Sequence, residues 1–183
     1  MGRVKGKVAI VTGAASPTGI GREISALLVA EGASVVMTDV DVEEGAKAAA
    51  AVGQGALFLE HDVRSDESWQ RIIEAVTARF GRLDILVNNA GITGAESRET
   101  IETISLDAWR AVQAVNVEGV ALGCKWAIAA MKPNNSGSIV NISSMAALIA
   151  TATLPAYGAS KAAVRQITQT VAQHCGRQGY RIR

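Results

Sequence analysis

The sequence predicts a single α/β domain in three layers, a parallel sheet wound on both faces by helices. Three observations carry that expectation. Short runs of branched apolar residues recur along the chain, a longer stretch of helical character follows each one, and the runs stay apolar instead of alternating. Alternating strands keep one face wet, whereas continuous apolar strands are covered on both faces, as parallel sheets are. Size and composition agree: 183 residues are enough to bury a core, and 49% apolar with 19% charged residues excludes a disordered chain. No linker, repeat or low-complexity segment divides residues 1–183.

In chain order, residues 7–12 (KVAIVT) read as a fully buried strand and 19–30 as the helix after it. Residues 34–38 (SVVMT) give a second strand, Val42–Val52 an alanine-rich helix, and Ala56–Glu60 (ALFLE) a third strand. Asp66–Phe80 reads as a helix with Asp66 as its N-cap and Gly81 as its stop. Residues 83–87 (LDILV) form a fourth strand, followed by a loop whose segment Gly94-Ala95-Glu96-Ser97 is a further candidate for a pocket border. Residues 106–131 read as one long helix ended by Pro133-Asn134-Asn135. Residues 137–142 (GSIVNI) are a fifth strand and 156–175 a second long helix. Tyr180-Arg181-Ile182-Arg183 looks like the opening of a sixth strand, so the chain reads as truncated.

A net charge of +1 with scattered basic residues gives no field to collect nucleic acid or an anionic membrane. Cys124 and Cys175 have neither a disulfide nor a zinc spacing, so no metal site is expected and a reducing cytoplasm is the simplest setting. The N-terminus is polar, and no apolar run approaches the roughly 20 residues that span a bilayer.

The first strand runs into Thr12-Gly13-Ala14-Ala15-Ser16-Pro17-Thr18-Gly19-Ile20-Gly21, which opens onto a helix. Glycines there permit a tight turn and let backbone approach a pyrophosphate seated on the helix N-terminus. A purely structural turn is the alternative; the strand–turn–helix context favours the binding role. Asp39 ends the second strand, 26 residues after Gly13. Its carboxylate suits the two hydroxyls of an adenosine ribose and repels a 2′-phosphate. Val40 and Thr18 stand where basic residues would favour NADP, so the expected cofactor is NAD. Asp39 as a helix cap is the alternative, although Asp41 serves that purpose equally well. After the third strand, Asp62 can meet the adenine amino group, and His61 reads as a partly exposed loop residue. Asn88-Asn89-Ala90-Gly91 follows the fourth strand, where amides can fasten strand ends and small residues admit a cofactor.

Tyr157-x-x-x-Lys161 puts a phenol and an ammonium on one helical face, one turn apart. An ammonium beside a phenol favours the phenolate, the form that takes a proton from an alcohol. A surface helix with two unrelated neighbours explains that spacing alone. It does not explain Ser144 thirteen residues before the tyrosine and Asn116 in Val115-Asn116-Val117 as well.

With Thr12-Gly13…Gly19-Ile20-Gly21, Asn88-Asn89-Ala90-Gly91, Asn116, Ser144, Tyr157 and Lys161 in this order, the chain resembles the short-chain dehydrogenase/reductase family. The resemblance runs from Lys7 to the last residue. It implies a Rossmann-like doubly wound sheet that binds NAD. Tyr157 would be the general acid/base, and Lys161 would tune it and hold the nicotinamide ribose. Ser144 would hydrogen-bond the substrate oxygen, and Asn116 would support a water relay to the lysine. Cofactor contacts are implied for Gly13, Ser16, Gly19, Ile20, Gly21, Asp39, Asp62, Val63, Asn89, Ala90 and Gly91, besides Tyr157 and Lys161. Ser143 is the structural serine of the pair.

Two departures from the family pattern carry expectations. Five residues, not three, separate the first two glycines, so Pro17-Thr18 should bulge outward and leave the helix start in place. Members of the family also continue past this point into a Pro-Gly turn near the nicotinamide and a substrate-covering loop. The apolar stretch from Met145 to Leu154 suits an apolar ring, and 119–132 with 173–180 are similar to bacterial hydroxysteroid and cyclic-alcohol dehydrogenases. The expected function is interconversion of a secondary alcohol and its ketone by a homo-oligomer, dimer or tetramer, paired through its two long helices. A 3-oxoacyl-thioester reductase is a second enzyme reading, disfavoured by Asp39 because such reductases commonly use NADPH. A nucleotide-binding protein without turnover is the reading from a different class.

Overall fold

A computed structural model describes residues 2–94 and 99–183. Five parallel strands form one sheet in the order β3-β2-β1-β4-β5. They are β1 (Val8–Thr12), β2 (Ser34–Asp39), β3 (Ala56–Glu60), β4 (Ile85–Asn88) and β5 (Ser138–Asn141). The helices α1 (Ile20–Ala30), α2 (Val42–Val52), α3 (Asp66–Phe80), α4 (Leu106–Gln113), α5 (Gly119–Met131) and α6 (Pro155–Arg177) supply the crossovers. One core cluster gathers Ile10, Val36, Trp69, Leu86 and Met131 with α3, α5 and α6 side chains. The other gathers Ala9, Val11, Val35, Met37 and Val87 under α1 and α2. Because β1 carries neighbours on both sides and helices on both faces, all five of its residues are buried.

Three expectations need correction. Asp66 does not cap α3. Ser65 does, accepting from the Ser68 N–H at 3.1 Å, and Asp66 is the first helical residue, accepting instead from Lys125 Nζ and the Trp126 indole. The expected single helix over 106–131 runs on without a break in helical backbone but is not α throughout: a π-turn, Ala114–Glu118, lies between α4 and α5. The expected opening of a sixth strand is present as one parallel bridge, Gly137 to Ile182, beside β5, with the Arg183 N–H donating to Gly137 O at 3.1 Å. The continuous helical run Leu106–Asn134 is also long and apolar enough to cross a membrane by length and composition, contrary to the sequence expectation. Its buried residues Val112, Asn116, Val120, Cys124, Ala127 and Met131 face the core cluster and its polar neighbours, as a core helix does.

The glycine-rich turn keeps the helix start in place. Gly19 is the N-cap, α1 begins at Ile20, and Ser16, Pro17 and Thr18 are exposed, held by Gly19 N–H to Ser16 O and Arg22 Nη1 to Pro17 O. Asp41 caps α2, accepting from the Glu44 N–H at 3.0 Å. Gly81 ends α3 in the left-handed region with φ 71°. The segment Gly94 to Ser97 lies outside the described residues beyond Gly94 itself.

Candidate active site and cofactor cleft

Strand order reverses at β1, so the crossovers to β2 and to β4 leave in opposite directions and open a crevice at the carboxyl ends. A cleft of about 570 Å³ lies there. Gly13, Ser16, Gly19 and Ile20 line it from the glycine-rich turn. Asp39, Asp62 and Val63 line it from β2 and β3, and Asn89, Ala90 and Gly91 from β4. Gly21 is buried behind the turn, and a Cβ on it would stand 2.6 Å from both Asn89 Nδ2 and Gly13 O. The sequence reading missed Val40, His61, Arg64, Ile92 and Val115 as lining residues. Each sits within two residues of a predicted site residue, so adjacency was the available signal.

Polar side chains hold the cleft floor open. Asn89 Nδ2 donates to Thr12 O and Gly13 O, both at 2.9 Å, and Thr12 Oγ1 accepts from the Asn89 and Ala90 N–H groups. Asn88 Nδ2 donates to Asn141 Oδ1 at 2.8 Å, fastening β4 to β5. The Asp39 carboxylate accepts from Ala15 N–H at 3.0 Å through one oxygen and from Val40 and Asp41 N–H through the other. It therefore ties the glycine-rich turn to the end of β2.

His61 is not the partly exposed loop residue expected. It is 1% exposed, its Nδ1 pairs with Thr38 Oγ1 at 3.1 Å, and its ring meets Trp69 edge to face at 4.3 Å. Its Nε2 is buried without a partner among the described residues. Burial pushes the imidazole down to about 4, partly offset by the Asp62 charge and reinforced by Arg71.

The other predicted residues meet at the β4–β5 end. Asn116 is fully buried in the π-turn, where its Oδ1 accepts from Ile92 N–H at 2.8 Å and its Nδ2 donates to Ile92 O and Ser160 Oγ, each at 2.9 Å. Ser160 Oγ donates in turn to Tyr157 O at 2.7 Å. Lys161 is 4% exposed; its Nζ donates to Ile142 O at 2.8 Å and lies 5.6 Å from the Tyr157 ring centroid. Burial lowers its ammonium below the ordinary lysine value. A Cβ on Gly91 would stand 3.4 Å from that Nζ, so the lysine borders the cleft floor. Ser143 Oγ donates to Lys161 O at 3.0 Å. Ser144 accepts from Ala146 N–H at 3.2 Å at the start of a 3₁₀ turn, Met145–Ala147, that α6 packs against at Gly158.

A glycine-walled cleft at a strand-order reversal, joined to a buried lysine one turn from a tyrosine, defines a dinucleotide-dependent oxidoreductase. The comparisons give the family. A model of the short chain dehydrogenase family matches residues 7–183, and the chain belongs to that family. It is 41% identical over 99% of its length, and 69% of the relative's, to 3-beta-hydroxysteroid dehydrogenase of Comamonas testosteroni. It is 38% identical to the NADP-dependent (R)-specific alcohol dehydrogenase of Lentilactobacillus kefiri, over 99% of this chain and 71% of that one. It is 40% identical to trans-4-hydroxycyclohexanecarboxylate dehydrogenase of Sinomonas cyclohexanicum, over 98% of this chain and 71% of the relative. Enzymes of this family use a nicotinamide dinucleotide, and the cleft fits one. Methyl groups at Gly13, Gly21 and Gly91 would crowd the floor, and the left-handed Gly13 (φ 65°) lets backbone come within contact of a bound group.

Proposed function

We propose that this chain is an NAD-dependent dehydrogenase that interconverts an apolar secondary alcohol, cyclic or steroid-like, with its ketone. The observation that carries the reading is the Lys161 ammonium, buried one turn from Tyr157 and bordering Gly91 on the cleft floor. It joins a proton-transfer group to a dinucleotide cleft. When bound, the dinucleotide supplies the hydride acceptor. The chain's residues do the rest. The Tyr157 phenolic oxygen takes the hydroxyl proton from the alcohol, Lys161 holds positive charge beside it, and Ser144 Oγ donates to the substrate oxygen. The Asn116 amide has its Nδ2 spent on Ile92 and Ser160 and its Oδ1 on the Ile92 N–H, so the side chain acts by holding the turn in place.

Asp39 supports NAD over NADP, because a carboxylate pinned by three backbone N–H groups cannot swing away from a 2′-phosphate. Met145, Leu148 and Ile149 are 71%, 72% and 57% exposed on the segment after Ser144, an apolar surface suited to a ring substrate. The hydroxysteroid and hydroxycyclohexane relatives favour the same class. A shallow groove between the π-turn and α6, lined by Val117, Ala163, Ile167 and Val171, is where a second copy would pair. Tyr157→Phe tests the reading: turnover of a cyclic secondary alcohol should fall at least a thousandfold, on the order expected when a proton-transfer group is lost, with NADH binding unchanged. Equal turnover would sink it.

A further inference from the structure

The helix that carries Tyr157 opens differently from those before it. α1, α2, α3 and α4 each start from a residue with extended backbone, Gly19, Asp41, Ser65 and Ser105, and the last three add a capping side-chain oxygen. α6 starts from Leu154, which has φ 63° and ψ 45°, the left-handed region, and a side chain that cannot cap. The described residues hold one other positive φ outside glycine, Asn135, and asparagine tolerates it. Leucine does not, because its Cβ is driven toward the following carbonyl oxygen. Pro155 comes next, and a residue before proline is normally pushed to extended backbone. So disfavoured a conformation persists only where the surroundings impose it.

The imposing contacts come from the walls of the site. Leu154 N–H donates to Glu99 O at 3.1 Å, joining the end of the 145–154 segment to the chain after β4. Leu154 O accepts from the Gly158 N–H at 3.0 Å, which closes the first turn of α6. Gln113 Nε2, at the end of α4, donates to Ala156 O at 3.2 Å. A Cβ on Gly158 would stand 3.3 Å from Ala146 O, so the first turn also rests on the 3₁₀ turn after Ser144. Next to Glu99, the chain is stiffened by Thr103 N–H to Thr100 O at 3.2 Å and Thr100 N–H to Thr103 Oγ1 at 3.0 Å. Tyr157 stands among these anchors, three residues past the strained one.

We propose that Leu154 is a positioning residue: its left-handed backbone, latched to Glu99, fixes the direction in which α6 leaves the substrate wall and so aims the Tyr157 phenol. This rests on the proton-transfer reading of Tyr157. Were residue 154 extended, as at the four earlier helices, its N–H would turn away from Glu99 and the first turn of α6 would swing. Lys161, one turn deeper and bonded to Ile142 O, would stay. The alignment of phenol and ammonium therefore depends on one backbone conformation and not on the leucine side chain.

The test varies residue 154 by backbone preference. Leu154→Asn and Leu154→Gly accept the left-handed region, whereas Leu154→Ile keeps the apolar surface but is β-branched and tolerates it least. Turnover of cyclohexanol and of a 3-hydroxysteroid is measured per NADH-binding site, and exchange of the residue-154 amide is followed by NMR without ligand. The Asn and Gly variants should keep kcat within about threefold and keep that amide protected. The Ile variant should lose about a hundredfold in kcat, the scale of a misaligned reacting group, with KM and NADH binding little changed and the amide exchanging freely. A leucine that served only as a pocket wall would give the reverse order, Ile active and Asn poor, and that order would overturn the proposal. Fast exchange of the Leu154 amide in the unaltered chain would overturn it as well, whatever the turnover. Should the Ile variant fail to fold, the Asn variant decides: a large loss of kcat with NADH still bound sinks the proposal. An unaltered chain that binds NADH and protects this amide yet oxidises neither alcohol would remove the reading of Tyr157, and the aiming role with it, while leaving the latch in place.

Discussion

Gly13 holds φ 65°, and a methyl group there would stand 2.6 Å from Ala90 Cα and 2.9 Å from Ala90 N, both backbone atoms that cannot step aside. Gly81 has nearly the same backbone, φ 71°, with nothing within 4 Å. The pair separates strain from crowding. Gly81→Ala should cost about 1 kcal/mol of stability, the left-handed penalty alone, and leave NADH binding intact. Gly13→Ala should cost about 3 kcal/mol and weaken NADH at least tenfold, because the β1–β4 seam must open. Urea unfolding and fluorescence titration measure both. The turn glycines were legible in the sequence because a strand–turn–helix context demands them. His61 was not, because its environment is made by residues on other elements: Thr38, across the β2–β3 pair, and Trp69, on α3.

The elements themselves follow hydrophobic pattern closely, and the departures come where a side chain bonds across elements. Asp66 reads as a cap from local sequence, but Ser65 supplies the capping oxygen and frees Asp66 for Lys125 and Trp126 on α5. The π-turn Ala114–Glu118 is the larger case. Periodicity over 106–131 reads as one helix, since a single extra residue in one turn shifts the apolar stripe by too little to see. What fixes the turn is Asn116, whose amide makes three hydrogen bonds to Ile92 and Ser160 on two other segments. Asn116→Leu would strip the half-buried Ile92 N–H and C=O of their partner and leave Ser160 Oγ only its bond to Tyr157 O, an expected loss of about 2 kcal/mol in chemical denaturation. Ser160→Ala removes one partner and should cost about 1 kcal/mol. Its effect on turnover should be smaller than that of Asn116→Leu, because the Ile92 contacts survive. Equal losses from the two variants would show that the amide does not anchor the turn.

Across the whole molecule, two buried titratable groups at opposite ends of the sheet set the response to acid. At the amino end, Asp84 accepts from Val8 N–H at 3.0 Å and pairs with Arg82 and Lys7, locking β1 beside β4. Burial alone would raise its carboxyl, but the hydrogen bonds from Arg82, Val8 and Lys7 outweigh it and hold it below its ordinary 3.8. A carboxyl with a depressed folded value contributes stability above 3.8 that disappears as pH falls through the folded value. At the carboxyl end, His61 acts earlier. Its folded value near 4 lies below the 6.5 of a free imidazole, so between those values the unfolded chain binds the proton that the folded chain refuses. Stability is therefore full above 6.5 and declines as pH drops toward 4, by about 3 kcal/mol from this group. The two windows do not overlap, which makes them separable. His61→Gln keeps a hydrogen-bonding partner for Thr38 and cannot charge, so its urea midpoint should fall less than that of the unaltered chain between pH 7 and pH 4. Asp84→Asn should be less stable at pH 7 and lose less on going from pH 4 to pH 3. If His61→Gln followed the unaltered chain through the upper window, the buried imidazole would not be the source of the acid sensitivity, and the carboxylates would have to account for all of it.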